Sequence, residues 1–133
     1  MKNPADDPTA WFAKGDKDCQ LAELAIQSEE DLAELACYHE QQCAEKYLKG
    51  FLVARQVPFR FVHDLDYLVN QCVEQDDEFE NLHEAATALQ AYATQSRHPG
   101  EEEVEVTLEE AKTALANAQT IRNFVQQRLA TES

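Results

Sequence analysis

The sequence predicts an all-α protein, with about five helices in an antiparallel up-down bundle forming one domain over residues 1–133. Three observations predict it. Apolar residues recur at three- and four-residue intervals along most of the chain. No strand-like alternation of useful length is present. The three glycines and four prolines punctuate helical patterns rather than interrupt strands.

The first helix is expected from about Thr9 to Gln27, where Trp11, Phe12, Leu21, Leu24, Ala25 and Ile26 keep helical spacing. Pro8 suits its first turn, and Gly15 weakens its middle. Ser28 followed by Glu29, Glu30 and Asp31 suits the start of a second helix running to about Arg55 or Gln56. Pro58 disfavours helical geometry at Val57 and marks the break. A third helix opens near His63 or Asp64, with Leu65, Leu68, Val69 and Cys72 inward, and fades into the acidic run from Glu74 to Glu80. A fourth carries Phe79, Leu82, Ala85, Ala86, Leu89 and Tyr92 and stops before Pro99-Gly100. A loop is expected over residues 101–106. Thr107 with Glu110 has the form of a capping box, and the last helix follows with Leu108, Ala111, Leu115, Ala118, Ile121, Val125 and Leu129 on one face.

A chain of 133 residues can build one core without staples. Its net charge of −15 disfavours non-specific binding to nucleic acid or to an anionic membrane. Cys19, Cys37, Cys43 and Cys72 show no CxxC spacing, so reduced core thiols are expected. No apolar run approaches the ~18 residues that cross a bilayer, and the N-terminus lacks a signal-peptide core. A cytoplasmic protein is the expectation.

The stretch from Cys37 to Leu68 carries the most chemistry. At 100° per residue Gln42, Lys46 and Lys49 fall within about 60° of one another, with Glu45 beside them. This basic strip is an exception in an acidic chain. With His63, Asp64 and Arg97 it forms a candidate site for phosphate or for a partner's carboxylate. The competing reading is a solvated basic face in which Glu45 pairs with Lys49 one turn on. His39-Glu40-Gln41-Gln42-Cys43 is close to HExxH, but Cys stands where the second His belongs and no third ligand has recognisable spacing. No metal site and no catalytic residue is assigned.

At these residues the chain resembles the HEPN domain family (higher eukaryotes and prokaryotes nucleotide-binding). The resemblance rests on Gln42-Cys43-Ala44-Glu45-Lys46-Tyr47-Leu48-Lys49-Gly50-Phe51-Leu52, on Val62-His63-Asp64-Leu65, and on Tyr92 with Arg97-His98-Pro99. Trp11-Phe12 with Asp18, and Thr107-Leu108-Glu109-Glu110-Ala111, extend it over nearly the whole chain. Two departures matter. No Arg precedes a His by the four to six intervening residues of the family's ribonuclease motif, and His98 stands where the family usually has Tyr.

The chain is therefore similar to the non-nucleolytic branch. That branch implies a homodimer, ATP or GTP as ligand, and a minimal nucleotidyltransferase as partner. By resemblance Lys46, Lys49 and Arg97 take phosphate, His63 and Asp64 organise the loop or contact the base, and Tyr92 stacks. Asp64 as a helix cap and Tyr92 as core are the structural rivals. The alternatives are a pure protein-interaction module and a degenerate, toxin-like ribonuclease using His63 with Arg55 or Arg60.

Overall fold

The computed structural model describes residues 3–94 and 105–132. Its helices are α1 (Pro8–Gln27), α2 (Ala33–Ala54), α3 (Leu65–Gln75), α4 (His83–Gln90) and α5 (Leu108–Thr131), with short 3-10 turns at Pro4–Asp6 and Asp77–Leu82. The described residues contain no strand. Five helices in an all-α bundle is the predicted architecture.

Local chemistry sets most of the boundaries. Pro8 occupies the first turn of α1, behind an Asp7 cap whose Oδ1 accepts from the Thr9 amide at 3.0 Å. Asp64 caps α3, accepting from the Tyr67 amide at 3.2 Å, and Thr107 Oγ1 caps α5, accepting from the Glu110 amide at 3.1 Å. At the end of α2, the amide of Val57 reaches the Leu52 carbonyl at 2.9 Å and that of Gln56 reaches Val53 at 3.0 Å. Gln56 sits at φ 60°, so this is a Schellman cap with glutamine in the left-handed position.

Two boundaries differ from expectation. Ser28 ends α1 and turns the chain by accepting from the Glu30 amide, and α2 starts at Ala33 without a side-chain cap. The three acids spend themselves on an exposed turn. The expected fourth helix is also divided: Phe79 and Leu82 lie in a 3-10 turn started by Asp76, and Tyr92 lies beyond the end of α4.

α2 is the central element, with 15 of its 22 residues buried. α1 runs antiparallel to it, since Phe12 stacks on Tyr47 at 5.0 Å while Cys19 lies against Cys43 further back. α5 runs parallel to it, with Arg122 over the Tyr47 ring and Arg55 paired to Glu132. The Asp77–Leu82 turn and α4 run antiparallel to α5, as the Glu78–Arg128 and Tyr92–Glu110 contacts show. Phe51, Phe79 and Phe124 form the aromatic centre, with ring centroids 4.4 and 4.9 Å apart.

The α1–α2 seam is close because it is lined by small residues. A Cβ on Gly15 would lie 2.9 Å from Tyr47, and one on Gly50 would meet three Phe12 ring atoms at or inside 3.0 Å. This approach brings the Cα atoms of Cys19 and Cys43 to 5.7 Å, and the two are joined as a disulfide. The expectation of four reduced thiols is corrected for this pair. Cys37 and Cys72 are free and buried.

Candidate functional site

The polar strip of α2 is an interior feature. Of its members only Lys46 keeps part of its side chain in solvent, 22% exposed, while Gln42, Glu45 and Lys49 are buried. α1 and the chain around His63 supply its covering partners. The strip is therefore not a solvated face, because α2 packs on both sides, although the Glu45–Lys49 pair of that alternative is present.

Each lysine of the strip meets a carboxylate. Lys46 Nζ donates to Asp18 Oδ2, and the other oxygen of Asp18 lies 2.8 Å from His39 Nδ1. Lys49 Nζ donates to Glu45 Oε2 at 3.0 Å and stands 5.8 Å from the centre of the Trp11 ring. Glu45 Oε1 accepts from Gln41 Nε2 at 3.3 Å, and Gln42 Nε2 donates to Gln41 Oε1 at 2.7 Å. His63 Nδ1 lies 3.0 and 3.1 Å from the two oxygens of Glu45. An ionised carboxylate only accepts, so Nδ1 carries the proton and Nε2 is left on an imidazole that is 68% exposed.

The structure thus brings Lys49 and His63 together through Glu45 and gives Lys46 to Asp18. Asp64 is adjacent in sequence and serves as the α3 cap. Tyr92 belongs elsewhere. Its hydroxyl donates to Glu110 Oε2 beside Cys37, nine residues and about 13 Å before Lys46 along α2. Burial and then the Glu110 hydrogen bond push its hydroxyl above the ordinary range, so Tyr92 stays neutral. Arg97 lies outside the described residues.

Other groups with chemistry are engaged in the fold. Of the two HExxH-like ligands, His39 faces Asp18 and Cys43 is oxidised onto Cys19. No three His, Cys, Asp or Glu side chains converge as a metal site among the described residues. Arg55 pairs with Glu132, Arg60 stacks on the Tyr67 ring at 4.5 Å, Arg122 holds Asp16 at 3.0 Å, and Arg128 holds Asp76 at 2.7 Å.

Sequence reasoning missed Glu40. It is fully buried, and neither carboxyl oxygen has a hydrogen-bond partner. Burial, with Glu23 adding, pushes its carboxyl up to about 8. The available signal was its register: Glu40 falls one turn after Ala36 and one turn before Ala44, both of them core positions.

With this geometry in view, the sequence matches the HEPN domain family model over residues 9–128. The chain belongs to the HEPN domain family. Two solved structures are similar to this HEPN domain. One is ST0689, described as an archaeal HEPN homologue, at 26% identity and TM-score 0.73, covering 96% of this chain and 98% of that one. The other is TT1696 from Thermus thermophilus, also at 26% identity, with TM-score 0.72, covering 90% and 96%. No curated protein matches significantly. No helix in the described residues of this HEPN domain is long and apolar enough to cross a membrane.

Proposed function

We propose that this HEPN domain is a non-nucleolytic helical module that acts by binding a partner protein, with a minimal nucleotidyltransferase as the partner class and a homodimer as its own state. One observation carries the reading: the basic strip is neutralised from within. Lys46 is held by Asp18, and Lys49, only 6% exposed, is held by Glu45. A phosphate entering here would have to take both cations from their carboxylates and then face Asp18 and Glu45. The −15 charge of the chain opposes the same step.

The test is size-exclusion chromatography with light scattering, on the chain alone and mixed with a minimal nucleotidyltransferase. A stoichiometric complex is expected, and separate elution of the two proteins would sink the reading.

A second reading, nucleotide binding, is favoured by the exposed His63 imidazole held on Glu45. Calorimetry with ATP and GTP decides it. Heat at millimolar ligand that disappears in His63→Ala supports a nucleotide site, and its absence retires one.

A further inference from the structure

Beyond the polar strip, residues 53–61 and the N-terminal turn enclose an open groove of about 700 Å³. Its walls are Trp11, Val53, Pro58, Phe59 and Phe61, with Asp6 at the rim. Trp11 and Phe59 meet edge to face at 6.1 Å, and Phe59 and Phe61 do the same at 6.2 Å, so the three rings form one continuous surface. Phe61 is 85% exposed, the most exposed large apolar side chain among the described residues. A ring left this open beside two others marks a binding surface rather than a core.

The groove is already built. Trp11 Nε1 donates to the Ala5 carbonyl at 2.9 Å, which pins the indole and the Pro4–Asp6 turn to each other. The Arg60 amide donates to the Tyr67 hydroxyl at 3.1 Å, and the Arg60 guanidinium lies over that ring. This anchors the segment between Phe59 and Phe61 to α3. Preformed aromatic walls spare a ligand the cost of ordering them.

Charge selects the occupant. Among the described residues Asp6 is the only charged one lining the groove; the nearby Lys49 and Arg55 are committed to Glu45 and Glu132, and the Arg60 guanidinium lies over the Tyr67 ring. The chain carries −15 overall. A polyanion would be repelled, whereas lysine or arginine is attracted by the field and by the aromatic faces.

Resting on the reading of the chain as a protein-binding module, we infer that the groove receives a short cationic segment of the partner, with apolar anchors on Trp11, Phe59 and Phe61 and flanking lysine or arginine toward Asp6.

Trp11 is the chain's single tryptophan, so its emission reports on the groove directly. A displayed library of random twelve-residue peptides is selected against the wild-type chain and against Phe61→Ser, a change at an exposed position that the core does not feel. The expected result is enrichment of Lys/Arg-flanked apolar peptides on wild type only. A synthetic peptide from that pool should shift Trp11 emission, with at least tenfold weaker binding to Phe61→Ser and weakening in salt. Lack of enrichment, selection of acidic peptides, or equal binding by Phe61→Ser overturns the proposal. So does a wild-type dimer that Phe61→Ser turns into a monomer, which would place a second copy in the groove. A nucleotidyltransferase complex that forms equally with Phe61→Ser overturns the groove while leaving the interaction reading standing.

Discussion

Lys49 and Glu45 form an ion pair one helical turn apart, Nζ to Oε2 3.0 Å, with 6% and 3% of their side chains exposed. An exposed pair of this spacing contributes a few tenths of a kcal/mol. A buried one is governed by desolvation instead, so breaking it costs far more than its attraction alone would suggest. Glu45→Ala, which leaves Lys49 buried against Trp11 without its acceptor, is expected to destabilise the domain by about 3 kcal/mol or more. The double change Glu45→Leu with Lys49→Met should recover most of that loss, measured by urea unfolding. A loss under about 0.5 kcal/mol in the single variant would show the strip to be solvated after all.

Glu40 makes stability depend on pH. Its carboxyl has the ordinary value of 4.5 when unfolded and is pushed up to about 8 when folded. Between these values the folded state binds the extra proton, so stability falls as pH rises from about 4.5 to about 8 and levels off above. The loss is on the order of 3–5 kcal/mol. Glu40→Leu should flatten this part of the profile and raise stability at pH 8. A wild-type profile that is level or rising across the window would contradict the burial of an unpartnered carboxyl.

Gly50 tests the helix seam. Adding one methyl group drives it into the Phe12 ring, and overpacking of this kind costs about 1–3 kcal/mol. Gly50→Ala should therefore lower the denaturant midpoint, and Phe12→Leu should make the same alanine less harmful. If the two changes simply add, Phe12 is not the obstacle.

Asp64 separates capping from ligand contact. Asp64→Ala removes the acceptor for the Tyr67 amide and should cost about 0.5–2 kcal/mol, while Asp64→Asn keeps a capping oxygen and should stay near wild type. Thermal unfolding of both variants provides the comparison. Equal destabilisation by Ala and Asn would mean that the negative charge, not the cap, is what the site uses.

Much of this protein is legible locally. The apolar spacing of α5 and the Thr107 cap depend on residues three or four apart, and so do Asp64 before α3 and the break before Pro58. Short-range rules of this kind hold whatever surrounds them. Where two local signals competed the reading slipped. The acids after Ser28 suited a helix start, but they make a turn, and the apolar run from Phe79 to Tyr92 concealed a change from 3-10 to α geometry at His83.

What the sequence determined by itself was the number and type of the elements, the family, and the identity of the strip Gln42, Glu45, Lys46 and Lys49. What only the tertiary structure decided was the meaning of that strip. Asp18 lies 28 residues from Lys46, and His63 lies 18 residues from Glu45. Cys19 lies 24 residues from Cys43. Helical periodicity tells which side chains share a face but not which neighbour closes over it. The close α1–α2 packing permitted by Gly15 and Gly50 turned a surface of cations into a buried, neutralised network, and left the aromatic groove beside it open.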